Sequence, residues 1–197
     1  MKKIILGLVF AATVMTACNN NKSTASKTAS HNMQEMAQTD SVTLSKSAAP
    51  EANAVSLKEI VSSYLTMKNA LSEDNSTATA KAGEILQTTF KSFDKSALTT
   101  DQKKIFEDVE TDAIENAEHI AENGGNIAHQ REHFELLSKD IYDLVKTFGA
   151  GQVLYKVYDS MFNSGKGAFW LSETKEIKNP YMGKAMLTSG SIKEEIK

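Results

Sequence analysis

The stretch IAHQREHFELLSKDIYDLVKTFGAG, residues 127–151, decides how the chain folds. Its apolar residues Ile127, Phe134, Leu137, Ile141, Leu144, Val145 and Phe148 keep close to a heptad rhythm. At 3.6 residues per turn that rhythm gathers them on one helical face. Gly149-Ala150-Gly151 then ends the helix.

The same pattern recurs three times upstream. Ile105, Phe106, Val109, Ala113, Ala117 and Ile120 form one face of a third helix. A capping box of Thr99 with Gln102 opens it, and Asn123-Gly124-Gly125 closes it with residues that tolerate the left-handed conformation. A second helix turns Ala78, Ala82, Ile85, Leu86, Phe90 and Phe93 to one side, and Asp74-Asn75-Ser76 supplies its turn and N-cap. A first helix carries Leu57, Ile60, Val61, Tyr64, Leu65, Ala70 and Leu71, with Ser56-Leu57-Lys58-Glu59 as the capping box at its start. Short links force neighbouring helices to run in opposite directions.

Downstream, Val153 to Tyr158 is β-prone, Gly165-Lys166-Gly167 reads as a turn, and Ala168 to Leu171 is aromatic and extended. About 45 residues without a helical period are too few for a core of their own. The predicted fold class is mainly α: an antiparallel four-helix bundle with a short β or irregular C-terminal tail packed on it.

The beginning of the chain is of another kind. Lys2 and Lys3 precede the apolar run Ile4 to Met15, whose twelve residues span roughly 18 Å as a helix, short of the roughly 30 Å hydrocarbon core. Met15-Thr16-Ala17-Cys18 fits a lipobox, with small residues before the cysteine. Residues 1–17 therefore read as a lipoprotein signal peptide and Cys18 as the lipidated residue. Because Cys18 is the single cysteine, the folded part is expected to have no disulfide, thiol nucleophile or thiolate site. Removing the signal segment takes two lysines from 22 basic and 25 acidic residues, leaving the mature chain at −5. A mildly acidic chain without a basic stripe is a poor nucleic-acid binder. Residues 18–54 read as a lipid-anchored flexible tether rich in Asn, Ser, Thr, Ala and Lys, and 55–197 as a single helical domain with its tail. His31, Met33 and Met36 in the tether could catch copper, although such a group also arises incidentally in a polar segment.

Three ordered motifs near the C-terminus carry a resemblance: Gly167-Ala168-Phe169-Trp170-Leu171-Ser172, then Glu176-Ile177-Lys178-Asn179-Pro180-Tyr181-Met182-Gly183, then Met186-Leu187. With Tyr64 to Leu71 and Gln130 to Ser138, they resemble the domain-of-unknown-function family numbered 3347, over roughly residues 55–197. The resemblance implies an exported protein of Bacteroidetes-type bacteria. It also implies an association with heavy-metal domains and efflux adaptors, and hence copper or another soft metal. The family pattern places cysteines where this chain has Asp159 and Ser189, so two thiolates are replaced, while Met161 and Met186 remain and Met182 stands at a commonly aromatic position. A thioether site of Met161, Met186 and Met182 would still suit Cu(I). The competing reading makes Met161 and Met186 core filler.

The histidines give a second candidate. His129 and His133 are four apart on one helix, and His119 and His129 are equally far from Gly124, so a hairpin brings all three towards one end. Glu115, Glu118 and Glu122 add carboxylates there, a set suited to Zn²⁺ or Cu²⁺. The helical phase places His129 off the core face, where paired histidines also occur by chance. Arg131 and Ser138 read as a helix-to-tail contact, and Trp170 as a packing anchor. No nucleophile elbow, phosphate loop or zinc-protease motif is present, so no enzyme is expected. The function expected from the sequence is that of a lipoprotein of the cell envelope, facing the periplasm from the outer membrane. Its role is accessory, in copper handling or efflux, with the membrane and efflux or other envelope proteins as partners. The alternative is an interaction module of the same fold that has lost its metal.

Overall fold

The computed structural model describes residues 51–197. The segment read as a signal peptide, Cys18, and the His31, Met33 and Met36 group lie outside the described residues. Four long helices come first: α1 (Glu51–Ser72), α2 (Ser76–Lys91), α3 (Thr100–Glu122) and α4 (Ile127–Phe148). Three strands follow, β1 (Leu154–Asp159), β2 (Ala168–Ser172) and β3 (Ser191–Ile196). They form an antiparallel sheet in the order β2-β1-β3. Val157 faces Trp170 across one pair and Ile192 across the other, after a register shift at Lys156.

The helix ends show which local signals act. Thr99 and Gln102 make the expected reciprocal cap, with Gln102 N–H donating to Thr99 Oγ1 at 3.3 Å and Thr99 N–H to Gln102 Oε1 at 3.1 Å. Asn75 caps α2 by accepting from Ala78 N–H at 3.0 Å. Gly149, at φ 79° and ψ 156°, ends α4 in a positive-φ conformation open essentially to glycine alone. Two expectations are corrected. Helix α1 is already under way at Glu51, so Ser56 to Glu59 lies inside it and caps nothing at its start. The α3 stop uses no left-handed residue: Asn123 has φ −103°, and its Nδ2 donates to the orphan carbonyl of His119 at 2.8 Å.

Helix α1 packs on α2, α2 on α3 and α3 on α4, and α1 also touches α4. At Gly83 helix α2 lies close against α3, where a Cβ would meet the Ala117 carbonyl oxygen at 2.8 Å. The α2 stripe runs through Thr79, Ala82, Gly83, Leu86 and Phe90, which leaves Ile85 at 47% exposure, off the face the sequence assigned to it. Phe106 fills the opposite end, stacked on Phe93 at 4.2 Å and edge-on to Phe148 at 6.4 Å.

Strand β2 lies against α4 and α1. Trp170 and Leu171 are fully buried there, so Trp170 is the packing anchor its neighbourhood predicts. Its ring meets Tyr181 edge-on at 5.9 Å, and Tyr181 in turn stacks on Phe162 at 4.4 Å. Polar contacts fix the register. Leu171 N–H donates to Tyr64 Oη at 3.0 Å, and Tyr64 Oη lies 2.8 Å from Ser138 Oγ, which donates to the Phe134 carbonyl at 2.8 Å. Burial pushes the Tyr64 hydroxyl far above its ordinary range, so it stays a neutral link in this chain. Arg131 makes the other expected helix-to-tail contact. Its Nε donates to the Pro180 carbonyl at 2.8 Å, and one terminal nitrogen reaches the Leu71 carbonyl at 3.1 Å and Asp74 at 2.6 Å.

Candidate metal site

Helices α3 and α4 are joined by the short turn after Asn123, which sets the last turn of one beside the first turns of the other. His119 stands in the last turn of α3. His129 lies in the first turn of α4, its backbone N–H held by the Asn126 cap at 3.3 Å, and His133 follows one turn on. The result is a cluster of three partly buried imidazoles, with one potential ligand atom from each within 4.8 Å of the others. His119 and His133 stack at 4.4 Å between ring centres, and His129 stands edge-on to His133 at 4.6 Å. Tetrahedral coordination with bonds of about 2.0–2.1 Å needs nitrogens roughly 3.4 Å apart, so the stacked His119 and His133 rings must turn towards a common point to bind an ion.

The outer contacts matter as much as the imidazoles. His133 Nδ1 lies 3.0 Å from Asn116 Oδ1, and His129 Nδ1 lies 3.2 Å from Glu132 Oε2. Glu115 approaches His119 Nε2 at 3.8 Å. Burial, followed by the neighbouring His119 and His129, lowers the pKa of His133, which favours the neutral ring a metal requires. Two turns further along α4, Asp140 sits beside Asn116 with one carboxylate oxygen buried and unpaired. Burial first, then the carboxylates of Asp112 and Asp143, push it up to about 7. Neither Asn116 nor Asp140 was singled out in the sequence. The available signal was spacing: Asn116 precedes His119 by three residues and Asp140 follows His133 by seven, both on the faces that α3 and α4 share.

The methionine candidate is placed differently. Met161 and Met186 are exposed, at 53% and 41%, and Met182 is half-buried. Their reading as core filler is corrected by that exposure. The two positions that replace cysteines do come together: Ser189 Oγ donates to Asp159 Oδ2 at 3.4 Å. Asn179, fully buried, binds both, donating to Asp159 Oδ2 and to Ser189 Oγ at 2.8 Å. Met161 N–H donates to the other oxygen, Asp159 Oδ1, at 2.6 Å. Both carboxylate oxygens are thus occupied by neutral donors. The group works as a polar clasp that fastens the Asn179 bend to β1.

Fold and site together define a mainly helical domain with an imidazole cluster at one helix hairpin. The model of the family described as "Protein of unknown function (DUF3347)" matches residues 60–153, which supports assigning that segment, from α1 to the start of the sheet, to this domain family. The C-terminal motifs that carry the sequence resemblance lie beyond the matched residues. No curated protein and no solved structure matches the chain.

Proposed function

We propose that the chain is an exported lipoprotein, anchored through Cys18 at the outer membrane and facing the periplasm. Its helical domain holds a transition-metal ion at His119, His129 and His133, as an accessory in metal handling or efflux. The observation that carries this reading is that three imidazoles from two helices bring one possible ligand atom each within 4.8 Å of the others. Imidazole is a common ligand for zinc and copper, and three such ligands leave an open position through which an ion can be passed on. Copper through Met161, Met182 and Met186 is the weaker version, because two of the three side chains face solvent. The clasp at Asp159, Asn179 and Ser189 favours the alternative for the tail alone: a structural and interaction role in place of lost thiolates. The helices read as an antiparallel bundle. In support, Ser76 at the start of α2 bonds Gly124 just past α3, while Phe90 at the end of α2 meets Phe106 at the start of α3.

Two measurements test this reading. The mature protein titrated with Zn²⁺ against a competing chelator should bind one equivalent, and the His129→Ala/His133→Ala variant should bind at least about a hundredfold more weakly, about 2.7 kcal/mol. Equal binding by the two proteins would remove the triad from consideration. For the anchor, Cys18→Ala should move the protein into the soluble fraction or leave its leader uncleaved. Unchanged membrane fractionation and processing would refute lipidation. No helix among the described residues is long and apolar enough to cross a membrane.

A further inference from the structure

Resting on the reading of the triad as a metal site, we propose that Asn116 and Glu132 are its positioning residues. They set His133 and His129 as Nε2 donors and make the site selective for a divalent ion of borderline softness, Zn²⁺ or Cu²⁺, over Cu⁺.

The orientation of Asn116 is fixed by its own bonds. Its Nδ2 donates to the Asp112 carbonyl one turn earlier at 2.9 Å, so the atom turned to His133 is the oxygen. That oxygen only accepts, and His133 must therefore carry its proton on Nδ1. Asn116 is 8% exposed, which leaves it little room to turn over. Glu132 acts likewise on His129: an ionised carboxylate only accepts, so the His129 proton also lies on Nδ1. In both rings Nε2 keeps its lone pair. An outer acceptor on the second ring nitrogen is the arrangement by which metal-ligating histidines are oriented and made more basic.

The choice of ion follows from the donors and the charge around them. Three neutral imidazoles supply only nitrogen, which suits Zn²⁺ and Cu²⁺, whereas Cu⁺ favours thiolate and thioether. The described residues contain no cysteine. Glu115 and Glu132 stand beside the rings, and their negative charge attracts a divalent ion more strongly than a monovalent one.

The test compares Asn116→Leu, Glu132→Leu and Glu132→Gln in the mature protein, with Zn²⁺, Cu²⁺ and Cu⁺ as probes. Each leucine variant should weaken Zn²⁺ binding by about 10–100-fold. Glu132→Gln keeps an acceptor oxygen but loses the charge, so its binding should fall between that of wild type and that of Glu132→Leu. Glu132 is exposed, so its variants report even if Asn116→Leu folds poorly. Nitrogen-15 spectra of the metal-free protein should show His133 protonated at Nδ1, with that preference lost in Asn116→Leu, an effect that simple destabilisation would not produce. Leucine variants that bind as tightly as wild type, with an unchanged His133 tautomer, overturn the positioning roles and leave the triad standing. Tighter binding of Cu⁺ than of Zn²⁺ overturns the ion class. A wild type whose divalent binding survives loss of His129 and His133 overturns the underlying reading as well.

Discussion

A chain ended after Gln152 is expected to lose cooperative unfolding, although all four long helices remain. Leu154, Val157, Trp170, Leu171, Tyr181 and Ile196 are each no more than 5% exposed, and all six vanish with the sheet. Burial of a large apolar side chain contributes about 1.5–3 kcal/mol. Six of them match the whole net stability of an ordinary domain, about 5–15 kcal/mol. The cut would also uncover the α1 and α4 faces beneath β2 and strand Tyr64 Oη without its Leu171 donor. Thermal circular dichroism should show a broad, non-cooperative loss of helix, together with binding of a hydrophobic dye. A sharp transition within a degree or two of the full-length midpoint would mean that the helices need no lid.

The second large effect concerns an ion pair whose lysine is buried and whose carboxylate is 32% exposed. Lys68 on α1 is 2% exposed, and its ammonium lies 2.7 Å from Glu173, just past β2. Asn69 donates to the other Glu173 oxygen at 2.9 Å. Glu173→Ala removes the only carboxylate bonded to that ammonium among the described residues. Stranding a buried charge in this way typically costs about 3–5 kcal/mol. Replacing both partners, as in Lys68→Met with Glu173→Leu, should be far milder, because no charge is then left unpaired. Denaturant unfolding of the single and double variants separates the two cases. A loss below about 1 kcal/mol in Glu173→Ala would place the pair among solvated surface bridges.

The pair also sets a direction with pH. Burial alone would raise the Glu173 pKa, but the hydrogen bonds from Lys68 and Asn69 outweigh it and hold the carboxyl below its ordinary value. A depressed folded pKa means stability that is fully present above the unfolded value, near 4.5, and lost as the pH falls through the folded one. The midpoint should therefore fall in acid, and less steeply in the double variant.

What could be read from the sequence followed the strength of local signals. The heptad rhythm of α4 and the box at Thr99 are short-range features, and both appear where the residues place them. The Ser56 box failed because a capping motif is permissive: the residues before it continue the helix, so the motif falls in its interior. Strand β3 was missed altogether. Ser191-Ile-Lys-Glu-Glu-Ile196 is half charged, and its extended form depends on distant partners. Glu194 accepts from Tyr142 at 2.8 Å and from Lys146 at 2.7 Å, both on α4, and Ile196 closes over the core.

The candidate site divides in the same way. The histidines were legible because helical spacing and a short hairpin fix where they meet. Their supports were not, since a polar Asn116 on the inner face of α3 looks like any other helix residue until its partner is known. The pairing of Asp159 with Ser189 is implied only by family resemblance, and in the sequence their bridge, Asn179, looks like no more than part of a bend.

The central claim is that imidazole from two helices, and no sulfur, holds the metal. X-ray absorption at the zinc edge of the Zn²⁺-loaded mature protein tests it directly. Three imidazole nitrogens at about 2.0–2.1 Å with one further light ligand are predicted. A sulfur shell near about 2.3 Å, or a shell of oxygen alone without imidazole scattering, would contradict it.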